Sequence, residues 1–180
     1  MEEFYLRLKQ SKEMDVEEIF DVLYENARWL EQRGIVQWPL AWLDSKIDEI
    51  KRSVTQDDFY QVEINNKIAA VVELKTSPEE IWASDEAKAL YIHKLAIRRV
   101  HKNQGLGRKV LNLIKEDAIR QKLTYLRLDC VAHNAALRAY YEEQGFILIE
   151  EVSTPEIVLA LYQLELLINT SNRTEVLQGK

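Results

Sequence analysis

Apolar and polar residues alternate from Phe4-Tyr5 through Leu6-Arg7-Leu8-Lys9, the period of a half-buried strand. The period then changes. Val16, Ile19, Phe20, Leu23, Ala27 and Leu30 recur at three- and four-residue spacings, the stripe of an amphipathic helix. Asp15 followed by Glu18 has the spacing of a capping box at its start, and Gly34 stands where a C′ glycine would end it. Pro39 breaks the chain, and Asp44 or Ser45 is placed to cap a second helix carrying Ile47, Ile50 and Val54. Strands over Asp58–Ile64 and Lys67–Lys75 flank Asn65-Asn66, residues that accept the left-handed backbone of a tight hairpin. A polar connection opens at Thr76-Ser77-Pro78. Beyond it the pattern predicts strand over 89–99, helix over 105–121, strand over 124–131 and helix over 134–144, ended by Gly145. Strands over 146–152 and 156–166 close the chain around Pro155. Strands and helices alternate in the middle and hairpins bracket them, which implies a mixed sheet with helices on both faces.

The composition fits this reading. The 180 residues, 47% hydrophobic and 30% charged, suit one globular domain over 1–168, followed by a polar tail over 169–180. The lone Cys130 can form no internal disulfide. Met1-Glu2-Glu3-Phe4-Tyr5 lacks the basic and apolar regions of a signal peptide, and no apolar run approaches the roughly 20 residues of a membrane helix. A cytoplasmic protein with no membrane partner is expected. The Asn169-Thr170-Ser171 and Asn172-Arg173-Thr174 triplets would matter only in a secreted chain.

Charge changes the picture more. The net charge is −6, yet Ala87 to Lys115 holds eight of the 24 Lys and Arg and none of the 30 Asp and Glu. A cationic patch on an acidic body suggests a polyanionic partner held at one place. Within it, the predicted strand runs into Lys102-Asn103-Gln104-Gly105-Leu106-Gly107-Arg108-Lys109, which opens a helix with Val110, Leu113, Ile114 and Ala118 on one face. Without side chains at 105 and 107, backbone N–H groups can converge on an anion at the helix start, and Lys102, Arg108 and Lys109 add full charge. The turn is neither a Walker A loop nor the dinucleotide fingerprint, because Val110 occupies the third glycine position of the latter. It reads as a phosphate cradle whose ligand must be inferred elsewhere.

Two motifs supply that inference. Leu95-Ala96-Ile97 followed by Lys102-Asn103-Gln104-Gly105-Leu106-Gly107 resembles motif A of the GNAT (GCN5-related N-acetyltransferase) superfamily, [QR]-x-x-G-x-[GA] after a strand, with Lys102 in place of Arg or Gln. Asn134-Ala135-Ala136-Leu137 through Tyr141 to Gly145-Phe146 is similar to the same family's N-x-x-[AL]-x-x-x-Y-x-x-x-G-F. Close resemblance spans about residues 88–150. It implies the GNAT α/β fold: a mixed, mostly antiparallel sheet of about seven strands, in the order β-α-α-β-β-β-α-β-α-β-β. It also implies an N-acetyltransferase that takes acetyl-CoA as cosubstrate, with no metal. By position, the backbone of Leu95, Ala96 and Ile97 would pair with the pantetheine arm as an added strand. Lys102, Asn103, Gln104, Gly105, Leu106, Gly107 and Arg108 would wrap the diphosphate. Asn134 would contact the coenzyme, or cap its helix, or both.

Amide formation from a thioester needs a neutral amine, a stabilised oxyanion and a proton for the departing thiolate. Backbone N–H groups near Leu95–Ile97 suit the oxyanion. Tyr141 matches the family's general acid, a phenol of pKa about 10, and also lies on a face with Leu137 where it would serve as core. Its neighbour Tyr140 points about 100° away around a helix and is the natural control. Three groups are candidates for the base. Asp129 lies where ribosomal-protein N-acetyltransferases of this superfamily place a carboxylate, His93 carries an imidazole, a group whose unperturbed pKa is near 6.5, and Glu73 sits on the preceding strand. Each also has a structural reading, as strand-end hydrogen bonder, packed imidazole and exposed strand charge. Cys130 has no evident activating partner, and no cluster has metal-ligand spacing.

In the family the helix pair, its connection and the late hairpin line the acceptor pocket. Here that region holds Tyr24, Trp29, Trp38 and Trp42, which suit core packing or the walls around an acceptor. The acidic body favours a small-molecule or peptide amine. Strand edges or the helix pair offer surfaces for a homodimer. The rival readings are a non-catalytic acyl-CoA-binding sensor or scaffold and a nucleic-acid binder. The basic stretch has only Tyr91 as an aromatic, which argues against nucleic acid.

Overall fold

The computed structural model describes residues 6–78, 80–82 and 87–167. Phe4 and Tyr5 of the first expected strand, the triplets at Asn169 and Asn172, and the tail over 169–180 lie outside them. The described elements are β1 (Leu8–Gln10), α1 (Val16–Glu31), α2 (Leu40–Ser45), α3 (Ile47–Thr55), β2 (Phe59–Ile64), β3 (Lys67–Lys75), β4 (Ala89–Ile97), α4 (Leu106–Arg120), β5 (Tyr125–Val131), α5 (Ala135–Glu143), β6 (Ile147–Ser153) and β7 (Val158–Glu165). They build one seven-stranded sheet in the order β1-β2-β3-β4-β5-β7-β6. Its ladders are antiparallel except β4–β5, which is parallel and is connected through α4.

The alternation seen in the sequence sorts the side chains onto two faces. On one face, Val62, Ala70, Val72, Leu90, Ile92, Leu126, Leu128 and Cys130 meet Leu106, Val110, Leu111 and Ile114 of α4 and Tyr141 of α5. On the other, Phe59, Val71 and Ala96 meet Ile19, Val22, Leu23 and Ala27 of α1 with Ile50 and Val54 of α3. Helices therefore cover both faces, and Asn65 (φ 53°) and Asn66 (φ 59°) make the left-handed hairpin turn.

Three local expectations are corrected. Asp15 does not cap α1; its carboxylate accepts from the Lys12 N–H one turn earlier (2.8 Å), and Glu18 accepts instead from the Ile68 N–H (3.1 Å). A carboxylate that finds a backbone donor on a neighbouring strand has no call to close a box. Pro39, expected only as a break before a helix at Asp44 or Ser45, stands immediately before the short α2, where a missing N–H costs nothing. Neither Asp44 nor Ser45 caps α3: Asp44 accepts from the Tyr24 hydroxyl, Ser45 bonds back to the Trp42 carbonyl (2.6 Å), and the chain turns at Lys46.

Candidate active site

The site begins where the sheet opens. The β4–β5 ladder runs from Ala89–Tyr125 to Ile92–Leu128 and stops there, although both strands continue. Continuing the register would set His93 opposite Asp129, so these residues stand at the head of the gap. Among the described residues, Leu95, Ala96 and Ile97 of β4 have no ladder partner on the β5 side.

A bulge shapes this stretch. Val71 pairs with Ala96 and Glu73 with His93, so Lys94 and Leu95 together oppose the single Val72. Lys94 takes a left-handed φ of 50°, which is unfavourable for a long side chain and must be held by its contacts. It is held: the ammonium lies 2.6 Å from Glu73 and 3.1 Å from Glu49 of α3. Glu73 is wholly buried and also receives Ser53 Oγ and Lys75 (3.0 Å). Downstream, Asn26 of α1 donates to the Ile97 carbonyl (3.0 Å) and to its own helix at Val22 (2.9 Å). The unpaired edge of β4 is thus fixed from behind at both ends.

Past Ile97 the chain makes a short 3-10 turn at Arg99–His101 and bends through Asn103 (φ 58°) and Gly105 (φ 71°) into α4. A Cβ on Gly105 would meet nothing within 4 Å, so the glycine is required here by its left-handed backbone and not by crowding. The Lys109 N–H makes the first intrahelical bond, to the Gly105 carbonyl (3.2 Å), which leaves Leu106, Gly107 and Arg108 at the open amide end of the helix. Lys102, Asn103, Gln104, Arg108 and Lys109 are exposed around them. Amides, dipole and cations on one accessible turn form the chemistry that holds a phosphate, and the residues fit the diphosphate of a coenzyme A.

At the far side of the gap, β5 ends and α5 begins at Asn134. Its side-chain oxygen accepts from the Leu137 N–H (3.2 Å), so the capping role is realised, and its Nδ2 donates to Gln37 in the α1–α2 connection (2.9 Å). Beside this bridge lies an open pocket of about 500 Å³, between Val36, Ala132–His133 and the β6–β7 hairpin at Glu151, Ile157 and Val158. These are the helix connection and late hairpin expected to receive an acceptor.

The two tyrosines of α5 diverge. Tyr141 is 7% exposed and packs edge-on against Phe146 (5.9 Å) and near Tyr162 (6.2 Å). Burial, with Cys130, Tyr140 and Asp129 nearby, raises its phenol pKa and keeps the proton on oxygen. Tyr140 instead leans toward α4, and its hydroxyl would stand 2.7 Å from a Cβ placed on Gly107. Among the base candidates, Asp129 and His93 alternate onto the same sheet face as Tyr91 and Arg127, opposite the α4 layer. Glu73 does not suit the role. Burial alone would raise its pKa, but Lys94, Ser53 and Lys75 outweigh this and hold it at about 2, so it binds a proton poorly and is not exposed as expected. Burial pushes the Cys130 thiol up to about 12, with Asp129 adding to the rise, which disfavours a thiolate nucleophile. Among the described residues no group of His, Cys, Asp and Glu could hold a metal ion, and no helix is long and apolar enough to cross a membrane.

Several contributors escaped the sequence reading. Asn26 interrupts the apolar stripe of α1 at a core-facing position, a signal that marks a buried polar side chain with a job. Lys94, Gln37 and Tyr140 had no such mark, since each matters through a partner distant in sequence. The aromatic region is largely committed to its own chain. Trp29 lies between Arg33 (4.2 Å) and Arg99 (3.8 Å), and Trp38, Trp42 and Tyr24 pack against the α1–α3 core.

The comparisons with known proteins agree with this geometry. The Acetyltransferase (GNAT) family pattern matches residues 18–146. The chain is 33% identical over 137 residues to YesJ, an uncharacterized N-acetyltransferase of Bacillus subtilis strain 168, covering 73% of this chain and 76% of the relative. Its fold is similar to that of a GNAT-family acetyltransferase from Streptococcus agalactiae (TM-score 0.77, 17% identity, 88% of this chain and 94% of that one). It is also similar to the PaiA N-acetyltransferase of Thermoplasma acidophilum, solved in complex with coenzyme A (TM-score 0.72, 13% identity, 90% and 99%). A family pattern that spans both the phosphate turn and the start of α5, with a relative of this identity and coverage, is decisive: the chain belongs to the GNAT acetyltransferase family.

Proposed function

We propose that this acetyltransferase moves the acetyl group from acetyl-CoA directly to a primary amine while both substrates are bound. The observation that carries the reading is the end of the β4–β5 ladder at Ile92–Leu128, next to a phosphate-binding turn that continues from the same strand. In this reading Lys102, Asn103, Gln104, Gly105, Leu106, Gly107 and Arg108 hold the diphosphate, and the unpaired edge at Leu95, Ala96 and Ile97 takes the pantetheine arm as an added strand. The coenzyme supplies an activated acyl carbon. Backbone N–H groups of the same edge stabilise negative charge growing on the acyl oxygen.

Tyr141 serves the thiolate. Its raised pKa makes it a weak acid but keeps it protonated, so its contribution is a hydrogen bond that strengthens as charge collects on sulfur. Asp129 or His93, side by side at the head of the gap, accepts the proton from the amine. The amine enters through the pocket at Val36, His133 and Ile157, whose rim carries Glu151 and Glu156 and so favours a cationic small molecule or peptide.

The test is an acylation screen: free thiol released from acetyl-CoA and longer acyl-CoAs, measured against a panel of primary amines. Turnover with at least one amine, dependent on both substrates in an intersecting initial-rate pattern, is expected. Tight coenzyme A binding with no thiol release across the panel would point to a sensor or scaffold instead.

A further inference from the structure

Tyr140, the neighbour of Tyr141 on α5, has surroundings of its own. Its ring passes from α5 to the first turn of α4. A methyl group on Gly107 would lie 2.7 Å from the Tyr140 hydroxyl oxygen but 3.5 Å from the ring carbon bearing it. The hydroxyl therefore fills the notch above Gly107 and the ring does not. That hydroxyl is buried and makes no hydrogen bond among the described residues. A phenylalanine would cover the same apolar surface without leaving a donor unmet, a penalty worth about 1–3 kcal/mol in general. The second glycine of the phosphate turn and an unsatisfied donor thus meet at one point, beside the open amides of Leu106, Gly107 and Arg108.

We infer that the Tyr140 hydroxyl is a coenzyme contact, donating a hydrogen bond to an oxygen of coenzyme A where the ligand crosses Gly107. Burial keeps the phenol protonated, although nearby Arg108 opposes the rise in its pKa, so it meets a phosphate or carbonyl oxygen as a donor. Adjacent tyrosines on one helix then divide the ligand: Tyr140 holds it at the turn and Tyr141 faces the sulfur end. The inference rests on the proposed seat of the diphosphate at 102–108, and the experiment separates the two.

Coenzyme A binding is measured by calorimetry for the full chain and for Tyr140→Phe. The dissociation constant is expected to rise roughly tenfold, the size of one hydrogen bond to a charged group. The unliganded variant should melt no lower than the parent. In steady state the change should fall on KM for acetyl-CoA more than on kcat. Equal affinity of the two proteins overturns the inference, whereas failure of the parent itself to bind coenzyme A sinks the proposed seat. Gly107→Ala supplies a ligand-free check. It should lower the melting temperature by collision with the hydroxyl, and Tyr140→Phe in the same chain should restore it. No restoration would remove the hydroxyl from the notch and the inference with it.

Discussion

Asn134 and Gln37 stand 97 positions apart in the chain, yet their side-chain amides meet at 2.9 Å. The same Asn134 caps α5 through its oxygen (3.2 Å to the Leu137 N–H), so one residue starts a helix and ties the α1–α2 connection across to it. The first prediction separates these roles. Asn134→Ala should cost about 0.5–2 kcal/mol in urea denaturation, the range for a lost cap. Gln37→Ala leaves the cap intact and should cost under about 0.5 kcal/mol, while raising KM for the amine because the connection beside the pocket is untied. Equal losses of stability in both variants would contradict this division.

Tyr141→Phe removes only an oxygen from a packed aromatic cluster of Tyr140, Phe146 and Tyr162. Removal of a hydrogen bond that strengthens in the transition state should lower kcat by about a hundredfold or more. Coenzyme A affinity, read by calorimetry, should change little. A variant that turns over like the parent would remove Tyr141 from the reaction.

The base is addressed by pH. Asp129 and His93 would be neighbours in the β4–β5 register one step beyond Ile92–Leu128. If Asp129 accepts the amine proton, Asp129→Asn abolishes the acidic limb of the kcat/KM profile and lowers its plateau. An intact limb in that variant, lost in His93→Gln, would transfer the role to the imidazole.

Much of this was legible in the residues because the signals were local. The Asn65-Asn66 pair announced its hairpin, Gly105 and Gly145 stand with φ of 71° and 90° at the helix boundaries the pattern predicted, and alternation placed the strands. The phosphate turn could be read because a strand, two glycines and a helix lie in one continuous segment. What escaped depends on tertiary crossing. Nothing near Lys94 marks a bulge, since its left-handed backbone is held by Glu73 and Glu49 from other elements. Nothing near Tyr140 marks a notch formed by another helix. The short α2 was hidden because Pro39 reads as a breaker as readily as a helix start.

The clasp behind the bulge carries the last prediction. Glu73 is fully buried, and its pKa of about 2 lies below the ordinary carboxylate value of 4.5, held down by Lys94 against the effect of burial. A depressed folded pKa contributes stability that is complete above 4.5 and is lost as pH falls from there toward 2. Lys94 is shifted the other way: burial would lower it, but Glu73 and Glu49 raise it above 10.5, so its contribution is complete below that value and lost only in stronger alkali. Urea midpoints of the parent should therefore hold steady on the acid side down to about pH 4.5 as far as this pair is concerned, then fall. Lys94→Met leaves a buried carboxylate with Ser53 and Lys75 alone. Breaking a buried pair typically costs roughly 3–5 kcal/mol, and Lys75 offsets part of it. In that variant the Glu73 pKa rises, so the component of acid sensitivity belonging to this site shrinks even as stability at neutral pH drops. Because Lys94 also sets the backbone from which the unpaired edge of β4 continues, KM for acetyl-CoA should rise in the folded fraction. A Lys94→Met protein with unaltered stability at pH 7 would show that the bulge is held by something other than this pair.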